Sequence, residues 1–359
     1  MRIVRLANFV THRSGGLRTA LRELGRGYLA AGHEPILIVP GAHASDEETG
    51  QGRVITVPGP KINFIGGYRI MLRRKAISDL LVALRPDCLE VSDRSTLRWT
   101  GAWAKAHNVA SVMVSHESLD GLLRVARVPA RRPLARALNR ATAAAYDRIV
   151  CTTSWAAREF HAFGAANVVE VPLGVDLDLF HPRHRTEHPG ITLVCATRLS
   201  IEKRPQRALT TIASLAAQGF PARLIMAGDG PLRQRLQRQA EGLPVEFTGF
   251  LHDRRELARL LASADVVLAP GPIETFGLAA LEALACGTPV IASESSALPD
   301  VIGDAGLAAK GEDFSAEVLR ILADPSRRDK ARARAELFGW DVAVKGFLAV
   351  HEAVHEERR

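Results

Sequence analysis

The stretch "DVVLAPGPIETFGLAALEALACGTPVIAS", residues 265–293, decides the fold. It opens with "DVVLAPG" at 265–271, a short aliphatic run closed by proline and glycine, which reads as a buried strand. "FGLAALEALA" follows with apolar residues at helical spacing, and Thr275 stands before it as the expected N-cap. The helix is expected to end near Cys286, with Gly287 as a C-terminal breaker and Pro289 opening the next strand, "PVIAS" at 289–293. Strand, helix and strand in that order belong to a parallel α/β sheet.

The same rhythm extends in both directions. Short apolar runs "RIVRLA" (2–7), "EPILIVP" (34–40), "DCLEVS" (87–92), "ASVMVS" (110–115) and "RIVCTT" (148–153) alternate with helical patterns. A second series has "ITLVCAT" (191–197), "ARLIMAG" (222–228) and "VEFTGF" (245–250) before the opening stretch. Two doubly wound, Rossmann-like α/β domains are expected, at 1–171 and 191–340, in keeping with a length of 359 residues. Between them "PLGVDLDLFHPRHRTEHPG", 172–190, is rich in proline, glycine and charge and reads as a linker. The end of the chain, about 341–359, reads as one amphipathic helix expected to pack back on the first domain.

Composition narrows the function. With 47% apolar and 24% charged residues the chain is an ordinary globular one. Four scattered cysteines without CxxC spacing suggest neither a zinc site nor a disulfide framework, and a cytoplasmic setting is expected. "MRIVRLANFV" is too short and polar for a secretory core, and no run of 18 apolar residues occurs. The net charge of +8 points to an anionic partner. Nucleic acid is disfavoured, because zinc-finger and basic-zipper patterns are missing and only 5% of residues are aromatic. No metal site is expected: the histidines lack paired spacing, and "DLD" at 176–178 falls in the proline-rich connector, where it reads as turn chemistry.

Ligands of open parallel sheets sit beyond the carboxyl ends of the strands. In the first domain the strands run into Asn8, Ser92-Asp93-Arg94, Ser115-His116-Glu117 and Thr152-Thr153-Ser154. In the second they run into Arg198, Gly228-Asp229-Gly230 and Gly271 to Glu274, so two polar edges facing each other would make a cleft. Gly15 and Gly16 open a helix and offer backbone N–H groups to an anion, although a plain glycine turn accounts for them equally well. Arg198 and Lys203 flank a turn in "TRLSIEKRP" and suit a diphosphate, whereas a solvated loop in an arginine-rich chain fits them as well.

The opening stretch supplies the remaining part. Glu274 lies just outside the expected helix, and the amides of Phe276, Gly277 and Leu278 at its start suit a phosphate. Glu282 lies about two turns further on, roughly 12 Å if the rise is helical throughout. A sugar nucleotide has hydroxyls at both ends and a diphosphate between, which matches a carboxylate at each end of a helix start. Spacing alone favours two solvated helix residues.

These residues resemble those of the retaining glycosyltransferases of family 4. The motifs are "SGGLRTAL", "EVSDRSTLR", "VSHESLD", "VPLGVDLDLFHP", "RLSIEKR", "AGDGPLR", "FTGFLHDR" and the Glu-x7-Glu pattern of "ETFGLAALEALACGTPVIAS". The resemblance covers nearly the whole chain and implies the GT-B fold, two Rossmann-like domains facing across a cleft, the first binding the acceptor and the second the nucleotide sugar. Within the family the wording is most similar to actinobacterial GDP-mannose-dependent α-mannosyltransferases that elongate phosphatidylinositol mannosides.

The roles it implies agree with the physical reading. Gly16, beside Gly15, would meet the donor diphosphate, and Arg198 and Lys203 would hold it as the glycosidic bond breaks. Glu274 would bind donor-sugar hydroxyls, with Phe276, Gly277 and Leu278 assisting through their backbone, and Glu282 would bind the ribose. His116 would lie near the reacting sugar. The stretch Gly249, Phe250, Leu251 to Asp253 would flank the base, and a carboxylate at Asp253 would suit the two N–H groups of a guanine edge. The resemblance also implies that no cofactor or divalent metal is needed, that transfer retains configuration, and that the acceptor hydroxyl attacks from the face the diphosphate leaves.

A glycolipid acceptor would meet the first domain. "INFIGGYRIMLRRKAISDLL" (62–81) and "LDGLLRVARVPARRPLARALNRATAAAYDR" (119–148) mix basic residues with leucine, as a segment lying on an anionic membrane would, and equally as ordinary solvated helices do. Tyr68 and Arg69 are the candidate acceptor contacts, and a peripheral position on the inner face of the plasma membrane is the matching location. Two other readings stay open: a family 4 enzyme using a UDP-sugar or a soluble acceptor, and a sugar-nucleotide-binding protein without turnover.

Overall fold

The computed structural model describes residues 1–10, 15–62, 68–125 and 128–359, and among these described residues sixteen strands and the helices between them make up the fold. Two units result. One comprises Met1–Asp120, Pro129–Gly174 and Trp340–Arg359, and the other Gly121–Val128 and Val175–Gly339.

The first unit holds β1 (Arg2–Leu6), β2 (Glu34–Gly41), β3 (Ser45–Thr49), β4 (Gly52–Pro58), β5 (Lys61–Ile62), β6 (Tyr68–Arg69), β7 (Cys88–Val91), β8 (Ala110–Ser115), β9 (Arg148–Cys151) and β10 (Val168–Glu170). Eight of them form one sheet in the order β10-β9-β8-β7-β1-β2-β4-β3, parallel except for the edge strand β3, while β5 and β6 make a small antiparallel ladder. Parallel strands covered on both faces read as continuous apolar runs, and β8, "ASVMVS", is buried at every position. The strand order reverses around β1, which pairs with β2 on one side and β7 on the other.

The second unit holds β11 (Ile191–Ala196), β12 (Ala222–Ala227), β13 (Val245–Gly249), β14 (Val266–Ala269), β15 (Val290–Ser293) and β16 (Leu307–Ala309). They form a wholly parallel sheet in the order β13-β12-β11-β14-β15-β16, so its reversal lies between β11 and β14. Ligand sites of doubly wound sheets form beyond the strand ends at that reversal. The core gathers Leu193, Cys195, Leu224, Met226, Val266, Leu268 and Ile291 from the strands with Ile212, Leu215 and Val318 from covering helices and Phe314 from the start of one.

Part of the expected linker lies within the second unit. The stretch 172–190 is not a bare tether: from Val175 it belongs to the second unit, where Phe180 is fully buried and Val175 donates its amide to Phe338. Asp176 Oδ1 accepts from the amides of Asp178 and Leu179, which is the turn chemistry read for "DLD".

The helix Trp340–Arg358 belongs to the first unit. The helix Gly16–Ala30 receives it through Gly27, where a Cβ would stand 2.2 Å from Val344, so only glycine permits that approach. Its His351 enters a buried polar cluster. Arg5 Nε donates to Glu90 Oε1 at 2.8 Å, the Tyr28 hydroxyl donates to Glu90 Oε2 at 2.7 Å, and His351 Nε2 lies 3.0 Å from the same oxygen. The other ring nitrogen, Nδ1, is 3.0 Å from Cys88 Sγ. Burial alone would lower the His351 pKa, but the Cys88 sulfur and the Glu90 carboxylate outweigh it and raise it to about 10. Glu90 stays ionised despite burial, because Arg5 and His351 hold its pKa far below the usual carboxylate range. A buried charge needs such partners.

Candidate active site

In the second unit the loops after β11 and β14 meet at the reversal of strand order. The chain leaves β11 through Arg198, which is half-buried, and forms a tight turn at Ile201–Lys203 before the helix Gln206–Ala217. The chain leaves β14 through Pro270 and Gly271 and reaches Glu274. Lys203 Nζ donates to Glu274 Oε1 at 2.5 Å, which brings together two of the residues singled out in the sequence. The loop after β11 is also fastened through its backbone to the loop after β12. Leu199 donates to Asp229 O at 3.0 Å and Leu232 to Leu199 O at 2.9 Å. Beside them a Cβ on Gly230 would stand 2.4 Å from the Leu199 carbonyl oxygen, so the two loops touch through backbone.

The helix after Glu274 starts later than expected. It spans Leu278–Ala285, and its N-cap is Gly277 in the left-handed region with φ 79°, not Thr275. The reason is packing: Phe276 is buried, its ring 6.2 Å from that of Phe338, and reaching that pocket keeps 275–277 out of helical conformation. A Cβ on Gly277 would stand 2.3 Å from Leu298 Cδ2. Phe276 and Gly277 therefore precede the helix, and Leu278 is its first residue.

Glu282 is buried on this helix, with Arg254 Nη2 donating to its Oε1 at 3.0 Å. The Arg254 guanidinium also lies 5.2 Å from the centre of the Phe180 ring. The loop beyond β13 carries the other expected donor contacts. Gly249 closes the strand at φ 77° and its carbonyl accepts from Gly228 N at 2.8 Å. Phe250 packs edge-on to His252, Leu251 is half-buried, and Asp253 is the exposed N-cap of the helix Arg254–Ser263, its Oδ1 accepting from Arg255 N at 2.8 Å.

In the first unit the expected residues lie at the start of the helix Gly16–Ala30, on β6 and after β8. Gly15 is the N-cap and Gly16 the first residue of the helix Gly16–Ala30; a Cβ on Gly15 would meet nothing, so its backbone is open to approach. Tyr68 and Arg69 lie on β6, where the Tyr68 ring is edge-on to Phe9 and Arg69 Nη1 donates to Gly59 O at 2.6 Å. The sequence segments 62–81 and 119–148 extend over 63–67 and 126–127, which are outside the described residues.

His116 follows β8, and desolvation together with the cations of Arg5 and Arg94 holds its pKa down to about 4 against a raising influence from Glu90, so it is neutral at physiological pH. Beneath it lies a closed network that the sequence reading did not anticipate. Arg94 Nη2 donates to Ser115 Oγ at 2.7 Å and Arg94 Nη1 to Asn139 Oδ1 at 3.0 Å. Asn139 Nδ2 and Leu119 N donate to Glu159 Oε2, and Ser118 Oγ donates to Glu159 Oε1. The segment 115–119 is thereby fastened on both sides of His116. Arg94 was visible as a strand-end residue and Arg254 closes the motif "FTGFLHDR" without a role assigned to it, whereas Glu159 sits within a helical pattern and gave no signal.

Among the described residues no group of three or more His, Cys, Asp or Glu stands ready to hold a metal ion, and no helix is long and apolar enough to cross a membrane.

Comparison with known proteins defines the class. Residues 178–338 match the family described as Glycosyl transferases group 1, and residues 14–179 match Glycosyltransferase Family 4. The chain belongs to the family 4 glycosyltransferases and is an enzyme of sugar transfer with the GT-B pair of Rossmann-like domains. A relative from Mycobacterium tuberculosis (strain ATCC 25177 / H37Ra), the GDP-mannose-dependent alpha-(1-6)-phosphatidylinositol dimannoside mannosyltransferase, is 50% identical over 97% of this chain and 95% of its own. D-inositol 3-phosphate glycosyltransferase 1 of Catenulispora acidiphila is 35% identical over 61% of this chain and 60% of its own. Among solved structures, sucrose-phosphate synthase from Thermosynechococcus elongatus superposes with a TM-score of 0.81 at 20% identity, covering 99% of both chains. A glycosyltransferase from Rickettsia africae does so with a TM-score of 0.74 at 15% identity, covering 98% of both. These two structures share the fold alone.

Proposed function

We propose that this enzyme moves mannose from GDP-mannose to a hydroxyl of a phosphatidylinositol mannoside, with retention of configuration and without a divalent metal. The observation that carries the reading is the 50% identity, over nearly all of both chains, to the mycobacterial phosphatidylinositol dimannoside mannosyltransferase.

The site chemistry is consistent with it. The bond to be broken leaves negative charge on a diphosphate, and fixed cations aimed at that charge lower the barrier. Arg198 and Lys203 supply them, and the backbone N–H of Gly16 is assigned to the same group. Glu274 takes the hydroxyls of the sugar, Glu282 those of the ribose, and Asp253 the guanine edge, with Gly249, Phe250 and Leu251 beside the base. His116, being neutral, offers a hydrogen bond near the reacting sugar without adding charge that would compete for the diphosphate. No carboxylate is assigned as nucleophile, so the acceptor hydroxyl attacks from the face the diphosphate leaves and hands its proton to that group.

A lipid acceptor calls for a membrane surface, and the first unit offers basic residues beside exposed leucines. On the helix Arg131–Ala145, Ala135, Asn139 and Thr142 face inward while Arg132, Leu134 and Arg136 are exposed. Leu72, Arg73 and Arg74 are exposed at the start of another helix. We infer peripheral attachment to the cytoplasmic face of the membrane, with Tyr68 and Arg69 near the acceptor headgroup.

Thermal shifts with GDP, UDP and ADP, followed by mass spectrometry of lipid product from GDP-mannose and phosphatidylinositol dimannoside, test the reading. Stabilisation by GDP and a lipid heavier by a single hexose, unaffected by EDTA, are expected. Turnover with UDP-sugars and none with GDP-mannose overturns the donor assignment. Absence of salt-sensitive co-sedimentation with anionic liposomes overturns the membrane assignment.

A further inference from the structure

Arg207 lies four positions beyond Lys203, in the first turn of the helix Gln206–Ala217, and is buried, with 8% of its surface exposed. A buried arginine needs several acceptors, and this one has them on three neighbouring strand ends. Its Nη1 donates to Pro270 O at 3.0 Å, just beyond β14, and to Ser293 Oγ at 3.0 Å, the last residue of β15. Its Nε and Nη2 donate to Glu312 Oε1, past the end of β16, at 3.1 and 2.9 Å. Arg204 Nη2 reaches the same Glu312 oxygen at 2.7 Å.

The Pro270 carbonyl is the root of the loop that carries Glu274. A Cβ on Gly271 would stand 3.0 Å from Glu274 Oε1, so the Glu274 side chain folds back over the residue next to the carbonyl that Arg207 grips. The far end of the loop is held by Ala297 N, which donates to Glu274 O at 2.8 Å. Lys203 also holds Glu274, but a lysine that turns toward a diphosphate gives up part of that hold. The Arg207 contacts are to a backbone carbonyl, a serine and Glu312, none of which the donor engages in the proposed reading.

We propose that Arg207 is a positioning residue for the sugar end of the donor site: it sets the Pro270–Glu274 loop so that the Glu274 carboxylate meets the donor hydroxyls while Lys203 serves the diphosphate. The inference rests on the reading that Glu274 binds the sugar. A displacement of about 1 Å in such a group costs on the order of 100-fold in rate, so a strut outside the reacting shell has kinetic weight.

The test compares Arg207→Lys, which keeps the charge but cannot span all three acceptors, with Glu312→Gln, which retains Arg207 and removes the charge that orients it. Affinities for GDP and GDP-mannose are measured by calorimetry alongside kcat and KM. Both variants are expected to bind GDP as the parent does, to lose preference for GDP-mannose over GDP, and to lose kcat, roughly 10- to 100-fold for Arg207→Lys and less for Glu312→Gln. A lowered melting temperature with unchanged kcat and unchanged preference overturns the proposal, because Arg207 then only holds strand ends together. If Arg207→Lys does not fold, parental kcat in Glu312→Gln overturns it alone. Glu274→Ala is the control. If it keeps the GDP-mannose preference, the sugar-end reading itself fails; if it loses the preference while both other variants keep it, only the role of Arg207 fails.

Discussion

Lys203 Nζ and Glu274 Oε1 lie 2.5 Å apart although 71 positions separate them in the chain. The contact joins the loop after β11 to the loop after β14, the two strands between which the order of the sheet reverses. A cation that suits a diphosphate and a carboxylate that suits hydroxyls are thereby neighbours, as the two sides of a glycosyl phosphate are.

Loss of Glu274, or of Arg198, the other cation assigned to the diphosphate, should be felt in turnover more than in folding. Glu274→Ala and Arg198→Ala are each expected to lower the transfer rate on the order of 100-fold or more. Steady-state kinetics with GDP-mannose provide the check, and near-parental turnover in either variant refutes its assignment.

Asp253 has a structural task that must be separated from base recognition. Its Oδ1 caps the helix Arg254–Ser263, so Asp253→Ala is expected to lose about 1 kcal/mol of stability whatever it does to binding. Asp253→Ser keeps a capping oxygen and removes the carboxylate. If Asp253 reads guanine, the serine variant melts near the parent temperature and binds GDP about tenfold more weakly; parental GDP affinity refutes the base contact.

Gly277 combines a left-handed backbone with a close neighbour. Gly277→Ala is expected to destabilise by about 1–3 kcal/mol through the φ of 79° and the 2.3 Å approach of the new methyl to Leu298. Adding Leu298→Ala removes the clash but not the backbone strain, so denaturant melts of the double variant should show partial relief of the glycine substitution's own penalty. Full additivity of the two losses contradicts the steric account.

The His351 cluster predicts an alkaline weakness. A histidine whose pKa rises from 6.5 to about 10 on folding contributes stability that is fully present below pH 6.5 and is lost as pH rises through 10. Glu90, depressed from 4.5, acts in the opposite direction, its contribution present above that value and lost as pH falls through its lower folded pKa. Arg5, Tyr28 and Cys88 complete the surroundings. The melting temperature is expected to decline between pH 7 and 10, and His351→Gln to flatten that decline. An unchanged slope in the variant rules out His351 as its source.

What the sequence disclosed follows from what signals a residue carries. Strands such as β2, β12 and β14 were legible because burial on both faces favours uninterrupted apolar runs. The edge strand β3, "SDEET", was not: nearly every side chain is exposed, and it is extended because the free edge of β4 pairs with it. The late start of the helix Leu278–Ala285 was hidden because Thr275 is a good cap by residue type, while the pocket beside Phe338 that holds Phe276 is a tertiary fact. Arg198, Lys203, Glu274 and Glu282 stood out by their position at strand ends or in the Glu-x7-Glu pattern. Arg207 and Glu159 are polar residues within helical sequence, and nothing local tells which strand ends they brace.

The return of residues 340–359 to the first unit has a consequence for synthesis. The second unit is almost contiguous, Gly121–Val128 and Val175–Gly339, and its strands have all been made by the time the chain reaches Gly339. The first unit begins earlier yet lacks His351 until synthesis has passed Gly339. A nascent chain therefore carries Arg5 and Glu90 without one of their buried partners until residues 340–351 are made, so the buried charge cluster of the first unit is completed only after every strand of the second has been synthesised.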